Sequence, residues 1–249
     1  MKEKIHKKRA LLIAALIALP SAALILFLLV WNGMLLLNNP SLRRYPVRGV
    51  DVSSYQGDID WDTLASQGIS FAFIKATEGS SLVDPCYVQN EERARKTGLR
   101  IGSYHFFSFD SPGETQAELF IRTVPKREDA LPPVVDFEFY GDKEKNPPDP
   151  EETREQLDDF LEAVEQHYGV KPILYATESA YAQYIAGAYE SYDIWIRNVV
   201  SAPRLSDGRD WTFWQYTNRE RLNGYRGREK YIDMNVFRGT EEEFAQYGR

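Results

Sequence analysis

The 249-residue sequence predicts an α/β fold, an incomplete (β/α)8 barrel preceded by one apolar helix. Three observations support this prediction. A long uncharged stretch lies near the N-terminus, apolar runs of strand length alternate with helical patterns from Arg48 onward, and the strands outnumber the helices. Strands that alternate with helices indicate a parallel sheet. A doubly wound open sheet is the alternative architecture.

The N-terminal stretch, residues 10–37, contains no charged side chain. As a helix these 28 residues would span about 42 Å, more than the roughly 30 Å hydrocarbon core of a bilayer, although Pro20 and Gly33 are expected to kink or shorten it. A cleavable signal peptide has a shorter apolar region of about 7–15 residues. The sequence therefore favours an uncleaved signal anchor over a cleaved signal peptide.

The basic residues precede this stretch, which predicts a cytoplasmic N-terminus and an outer location for the rest of the chain. The predicted divisions are a basic N-terminus (1–9), a transmembrane signal anchor (10–37), a linker (38–47) and the barrel domain (48–249). We expect a single-pass protein of the plasma or inner membrane with its barrel on the periplasmic or extracellular side.

Charge and cysteine content exclude several classes of protein. The formal net charge is −7, and the first ten residues are basic, so the remainder carries −11. An acidic domain of this kind repels nucleic acid, which we exclude as a partner. The single cysteine, Cys86, rules out an intrachain disulfide, and we expect a buried or half-buried residue rather than a nucleophile.

Eight segments of the outer domain have the length and composition of strands: 49–53, 69–76, 100–107, 133–138, 172–176, 193–197, 212–216 and 232–237. Five helices fit between the first six strands. Ser111-Pro112-Gly113-Glu114 offers an N-cap, a first-turn proline and a capping-box glutamate, and Asp149-Pro150-Glu151-Glu152 repeats that pattern. Gly169 is expected to end the second of these helices, while Asp84-Pro85 begins another that ends at Gly98.

Four acids lie at predicted strand ends: Asp51, Asp136, Glu138 and Asp233. Chemistry in parallel α/β folds sits where strands end and loops begin. Because a strand has a period of two, Asp136 and Glu138 share one face. Mutual repulsion and burial both raise the pKa of at least one of them, so a general acid is available near neutral pH.

Other chemistries lack the residues that they need. The three histidines (His6, His105 and His167) do not cluster, and no cation-loop, Walker, Gly-x-Ser-x-Gly or dinucleotide motif is present. We therefore expect no metal and no cofactor. Converging carboxylates without a metal or a serine or cysteine nucleophile indicate glycoside hydrolysis.

Six motifs in order resemble the family 25 glycoside hydrolases, the Chalaropsis-type lysozymes or N-acetylmuramidases. The resemblance covers about residues 48–237. The motifs are Gly49-Val50-Asp51-Val52-Ser53 with Gln56-Gly57 and Ile59-Asp60-Trp61; Phe73-Ile74-Lys75-Ala76-Thr77-Glu78-Gly79; Gly102-Ser103-Tyr104-His105-Phe106; Val135-Asp136-Phe137-Glu138; Trp214-Gln215-Tyr216; and Ile232-Asp233-Met234-Asn235-Val236-Phe237.

The resemblance implies a flattened TIM-like (β/α)5(β)3 barrel that cuts the β-1,4 bond between N-acetylmuramic acid and N-acetylglucosamine in peptidoglycan. It implies that Glu138 is the general acid and that Asp136 shapes the charge beside it or orients the substrate N-acetyl group. Asp51 and Asp233 would complete the acidic floor. Retention through the N-acetyl oxygen and a carboxylate nucleophile such as Asp233 both remain open.

Six further residues near strand ends are candidates for stacking on sugars or hydrogen bonding to them: Glu78, Tyr104, Tyr175, Trp195, Trp214 and Gln215. His105 is expected to have a structural role. After Trp195 the family pattern has a small residue and then tyrosine, whereas this chain has Ile196-Arg197, so the resemblance covers the acids but not this part of the outer subsites.

The expected partners are peptidoglycan glycan strands and, through the N-terminal helix, a membrane; we expect a monomer. An inactive barrel that binds wall glycan is one alternative. A chitinase-like glycosidase is another, although residues 131–135 lack the additional acids of that group. A carbohydrate esterase is a weaker alternative, since the metal ligands are absent.

Overall fold

The computed structural model describes the backbone of residues 2–249 and the side chains of His6, Lys7 and residues 12–249. Helix α1 (Lys2–Trp31) contains the apolar segment Leu12–Trp31, which has 20 residues and a mean hydropathy of 2.8. None of this segment is buried in the protein, and it is long and apolar enough to cross a membrane. The helix continues through Pro20 and ends at Trp31, because Gly33 adopts a left-handed conformation with φ 62°. The uncharged stretch continues to residue 37 without helix.

Eleven strands are described, three of them only two residues long: β2 (Asp58–Ile59), β4 (Leu82–Val83) and β10 (Tyr225–Arg226). The other eight form the barrel: β1 (Arg48–Val52), β3 (Phe71–Glu78), β5 (Arg100–Phe106), β6 (Val134–Phe137), β7 (Ile173–Thr177), β8 (Ile194–Arg197), β9 (Phe213–Glu220) and β11 (Ile232–Phe237).

The barrel strands run in the order β1-β11-β9-β8-β7-β6-β5-β3, and pairing of β1 with β3 closes the sheet. All pairs are parallel except those of β11, which is antiparallel to both β9 and β1. The predicted incomplete barrel is therefore confirmed, and the doubly wound open sheet is wrong.

Five helical segments lie between the first six barrel strands, as predicted: α2 (Trp61–Ala65), α3 (Tyr87–Ala94), α4 (Gly113–Thr123), α5 (Pro150–Tyr168) and α6 (Glu178–Ala180), the last continued by a π-helical turn. The Asp149 side chain caps α5 by accepting from the amides of Glu151 and Glu152, and Gly169 ends it with φ 75°. The capping box predicted for α4 is wrong. That helix begins at Gly113 after Pro112, which has no side-chain donor or acceptor.

Two apolar layers hold the barrel together. The larger lies between the strands and the helices, while the smaller fills the barrel interior with rings that include Phe71, Phe73 and Phe213. Gly49 has no side chain and so leaves space for the Phe71 ring. A Cβ on Gly49 would lie 2.3 Å from the Phe71 ring.

Helix α7 (Glu241–Gln246) closes the barrel at the amino ends of its parallel strands. Phe244 packs against Phe71, with their ring centroids 5.4 Å apart. Arg100 donates to the backbone oxygens of Phe244 and Tyr247. Site chemistry is therefore confined to the other end.

The segment 38–47, predicted as a linker, packs along the barrel. Asn38 is buried and its Nδ2 donates to the carbonyl of Asn198 at 3.1 Å. Val47 is buried in the interior layer, and the Tyr45 ring lies 5.7 Å from that of Trp211. The chain between α1 and the barrel is thus held against the domain over much of its length.

Candidate active site

Side chains that point into the barrel at the carboxyl ends of the parallel strands form a cleft. Because strand residues alternate between faces, each strand contributes the positions that continue its inward-facing apolar residues. On β3, for example, Phe71 and Phe73 fill the interior and Lys75 emerges above them. The cleft has a volume of about 600 Å³ and its lining includes Asp51, Lys75, Tyr104, Asp136, Glu138, Tyr175, Trp195, Arg197, Gln215 and Asp233.

Asp51 and Asp233 form the floor of the cleft. They stand opposite each other in the antiparallel pairing of β1 with β11. Asp51 accepts from Asn235 Nδ2 at 2.7 Å and from Gln215 Nε2 at 3.0 and 3.1 Å. Gln215 Nε2 also lies 3.4 Å from Asp233. The Asp51 carboxylate is therefore surrounded by donors and held rigidly.

Two aromatic residues fix the orientation of these amides. The Tyr175 hydroxyl donates to Gln215 Oε1 at 3.1 Å, and the Trp195 indole N–H donates to Asn235 Oδ1 at 2.8 Å. Each amide oxygen is thus satisfied, so each NH2 group points toward Asp51. Trp195 is itself almost fully buried and stacks on Phe73, so its main contribution is to this network.

The floor favours a bound proton. Burial raises the pKa of Asp51, although hydrogen bonds from Asn235 and Gln215 oppose that effect. Burial and the charge of Asp51 raise the pKa of Asp233 well above its usual range. The interaction between the two carboxyls lowers the pKa of Asp51 and raises that of Asp233, so Asp233 is the member of the pair that binds a proton more readily.

Asp136 and Glu138 form the second acidic pair, at the end of β6. Burial and the charge of Glu138 raise the pKa of Asp136 well above its usual range. Burial also raises the pKa of Glu138, against the opposing charge of Arg197. Asp136 Oδ1 is buried without a hydrogen-bond partner among the described residues. An unpaired buried acceptor is costly, so this oxygen is available for a donor on a ligand.

Two predicted binding residues, Trp214 and Glu78, are not part of the lining of this cleft. Trp214 is buried on the outer face of β9, where its indole donates to the Asn198 carbonyl and its ring packs near Tyr45. It neighbours Gln215, and adjacent strand residues face opposite sides. Glu78 lies at the rim and accepts from Lys75 Nζ at 2.6 Å. The other eight predicted residues line the cleft.

Three further residues shape the site without having been predicted from the sequence: Lys75, Arg197 and Asn235. Lys75 and Asn235 lie in the motifs that carry the family resemblance, and Arg197 lies in the predicted strand 193–197. Inward alternation from Phe73 to Lys75 and from Trp195 to Arg197 was the signal that could have identified the two cations. They face the acids and lower the pKa of Glu138, against the larger effect of burial.

His105 lies outside the cleft, between the barrel and the helical layer. Its Nδ1 accepts from the Thr77 hydroxyl at 2.7 Å, and its Nε2 donates to Gln116 Oε1 at 3.0 Å. Burial lowers its pKa to about 4. The neutral imidazole thus holds α4 against the barrel, which agrees with the structural role expected for it.

Comparison with known proteins identifies the family of this barrel. The profile described as Glycosyl hydrolases family 25 matches residues 50–225, more than half of the chain. The chain belongs to glycosyl hydrolase family 25. The sequence-based assignment is confirmed, and the protein is a glycoside hydrolase.

Similar proteins support this assignment over most of the chain. The family 25 hydrolase from Bacillus anthracis has 60% sequence identity and a TM-score of 0.80, over 84% of this chain and 97% of that one. A lysozyme from Streptomyces coelicolor has 28% identity and a TM-score of 0.71, over 81% of this chain and 96% of its own. Lysozyme M1 of Streptomyces globisporus is 31% identical, over 78% of this chain and 68% of its own.

A further relative has no described activity. The Escherichia coli K12 protein YegX, described as uncharacterized, is 36% identical over 82% of this chain and 74% of its own. The chain is therefore similar both to named lysozymes and to a protein without an assigned role.

Proposed function

We propose that this family 25 hydrolase is an N-acetylmuramidase that cuts the β-1,4 bond between N-acetylmuramic acid and N-acetylglucosamine in peptidoglycan. One observation carries the proposal. Glu138, whose pKa is raised by burial, stands beside Asp136, whose buried Oδ1 has no partner among the described residues. A proton donor and a free acceptor thus face one cleft. Similarity to named lysozymes supports the choice of substrate.

In the first step the neutral Glu138 donates its proton to the glycosidic oxygen as the bond from that oxygen to C1 breaks. The oxygen of the substrate's 2-acetamido group attacks C1 and forms a cyclic oxazolinium intermediate. Asp136 Oδ1 accepts the acetamido N–H, which holds the group in position for this attack. The free acceptor at Asp136 favours this route over a carboxylate nucleophile.

In the second step the Glu138 carboxylate removes a proton from water as the water oxygen attacks C1. The C1 bond to the acetamido oxygen breaks, the acetamide is regenerated, and the product retains its anomeric configuration. Asp51 is surrounded by donors from Gln215 and Asn235 and stands opposite Asp233, whose pKa is raised by burial and by the charge of Asp51. We assign this pair the role of a fixed acidic floor below the sugar.

We further propose that α1 is an uncleaved signal anchor, with the barrel on the outer side of the membrane and acting as a monomer. No residue of the apolar segment Leu12–Trp31 is buried in the protein, so a bilayer is the environment that would cover it. The basic residues before it favour a cytoplasmic N-terminus. The hydrolase would then act on the wall layer next to the membrane.

The test is digestion of purified peptidoglycan by the full chain in detergent, with product ends read by mass spectrometry. We expect reducing muramic acid ends. Glu138→Gln should lower kcat by about 10²–10⁴-fold because the general acid is lost. Glu118→Gln, an exposed acid on α4, is the matched control and should leave kcat unchanged.

The two retaining routes are separated with glycan whose muramic acid acetyl groups have been removed. Cleavage should stop if the acetamido oxygen is the nucleophile and continue if a carboxylate is. Reducing glucosamine ends would contradict the muramidase proposal. Intact glycan with the wild type across a range of pH, together with retained binding, would support an inactive glycan-binding barrel instead.

A further inference from the structure

The outer end of α1 is held directly by the barrel. Arg219 Nη1 donates to the Trp31 carbonyl at 2.6 Å, and Arg221 Nε donates to the Asn32 carbonyl at 3.0 Å. The Arg219 guanidinium also lies 4.6 Å from the centre of the Trp31 ring. Gly33 passes so close that a Cβ there would lie 2.3 Å from the Arg219 carbonyl oxygen. Free rotation of the barrel about the anchor is therefore restricted.

These contacts place part of the barrel at a defined depth. The 20 residues Leu12–Trp31 rise about 30 Å as a helix, which equals the hydrocarbon thickness of a typical bilayer. If α1 spans the membrane, Trp31 lies at the outer edge of the hydrocarbon, where tryptophan is enriched. Arg219 and Arg221, which contact its end, then lie among the lipid headgroups.

The same segment carries further cations. Residues 219–230, here called the basic hairpin, contain Arg219, Arg221, Arg226, Arg228 and Lys230 against two glutamates. The last three of these cations are exposed. In the part of the chain that the structure describes, none of the five forms an ion pair. The cluster stands out because the chain after its first ten residues is strongly acidic.

We propose that the basic hairpin docks on the outer face of the membrane that α1 spans, by binding the phosphates of anionic lipid headgroups. The inference rests on the proposed membrane anchor. Its supports are the depth set by Trp31, the unpaired cations and their complementarity to anionic lipid. Guanidinium groups bind phosphate oxygens in a bidentate manner, which suits Arg226 and Arg228 to this role.

Docking has a consequence for the cleft. Tyr231 follows the hairpin, lines the cleft and lies 5.4 Å from the Arg221 guanidinium. Glu229, within the hairpin, also lines the cleft. One wall of the cleft is therefore continuous with the docking surface, and a docked barrel presents its cleft at a fixed height beside the membrane.

The experiment uses the full chain in vesicles of phosphatidylcholine alone and in vesicles of phosphatidylcholine mixed with phosphatidylglycerol. Amide hydrogen exchange is followed in residues 221–231. We expect exchange about fivefold slower in the anionic vesicles, the scale of one basic residue at an anionic surface. The difference should vanish in ~1 M salt, where the screening length falls to about 3 Å.

The charge-reversal variant replaces Arg226, Arg228 and Lys230 with Glu and should lose the lipid dependence. A matched variant replaces three exposed cations outside the hairpin, Lys96, Arg122 and Arg204, with Glu in the same way. This variant should keep the lipid dependence of exchange. Unchanged exchange elsewhere in the barrel shows that each variant is folded. The salt arm tests the wild type alone, so the proposal stays falsifiable if the reversal variant misfolds.

Other outcomes would overturn the docking proposal. Equal exchange in both vesicles would refute docking while leaving the anchor intact, provided that the chain resists alkaline extraction. Extraction of the chain by alkali would refute the anchor and the docking together. If the reversal variant instead loses binding to purified wall polymer while exchange is independent of lipid, the basic hairpin binds the wall and not the membrane.

Discussion

A single methyl group at Gly49 should both destabilise the barrel and impair its cleft. The added Cβ would lie 2.3 Å from two atoms of the Phe71 ring, whereas ordinary contacts begin near 3.4 Å. The ring would have to retreat by about 1 Å. It is fully buried, and the rings of Phe73, Phe213 and Phe244 lie 5.4–5.6 Å from it, centroid to centroid. No free space is available on the far side.

Overpacking of this kind costs roughly 1–3 kcal/mol. In a domain of this size each kcal/mol corresponds to about 2–4 °C, so Gly49→Ala should lower the Tm by roughly 2–12 °C. Activity should fall as well, because Asp51 is the next inward residue on β1 and moves with the strand. Differential scanning calorimetry and peptidoglycan turnover at a temperature well below the Tm measure the two effects separately.

The control is a double-mutant cycle. Phe71→Leu removes part of the ring that the methyl group meets, so the double variant should be less destabilised than the sum of the single variants by about 0.5–3 kcal/mol. An unchanged Tm in Gly49→Ala would refute the reasoning, because it would mean that the interior rings move freely. Strict additivity would show that Phe71 is not the group that resists the methyl.

Three further predictions concern charge and packing. Activity should decline as pH rises through the raised pKa of Glu138, since the general acid must be protonated. Arg197→Met removes a positive charge that lowers this pKa, so it should move the alkaline limb of the kcat–pH profile to higher pH. An unmoved limb would show that a group other than Glu138 causes the decline. Asp233→Asn should raise stability by roughly 0.5–2 kcal/mol while lowering activity. The pKa of Asp233 is higher in the folded than in the unfolded state, so the wild type loses stability as pH rises through the folded-state pKa. The gain in Tm from Asp233→Asn should therefore be larger at pH 7 than at pH 4. A gain that does not depend on pH would show that the ionisation of Asp233 is not its cause. Trp214→Leu should lower the stability by about 2–4 kcal/mol with KM unchanged, because the ring packs outside the cleft; a raised KM measured on peptidoglycan would return it to the binding site.

The barrel itself could be predicted from the sequence because its strands are buried on both faces. Continuous apolar runs such as Phe71–Ile74 are typical of a parallel sheet that is covered on both faces, and the structure places all eight barrel strands within a few residues of the predicted ranges. The strand and helix pattern alone also allowed an open sheet, and the pairing of β1 with β3 decides for the closed barrel. The start of α4 was shifted by local geometry, because the buried Gln116 side chain binds the Ser111 carbonyl that precedes the helix.

The residues that line the cleft were harder to predict, because they depend on which face of its strand each side chain points to. Trp214 and Gln215 are neighbours in one motif, yet only Gln215 reaches the acids. Lys75 and Arg197 carry charge, which ordinarily indicates an outward residue, but they lie at strand ends where the barrel opens. The end of α1 at Trp31 follows from the local signal at Gly33, but its contact with Arg219, 188 residues away along the chain, is contained in no local pattern.

The pairing of the first barrel strand with the last, and of Asp51 with Asp233, sets the order in which a working enzyme can form. Asp51 is made early in synthesis, but its partners Gln215, Asp233 and Asn235 are among the last parts of the barrel to emerge. A nascent chain that stops before residue 232 therefore has no floor under its cleft and no closed barrel. The acidic cleft can therefore assemble only once the whole domain, through β11, has been synthesised.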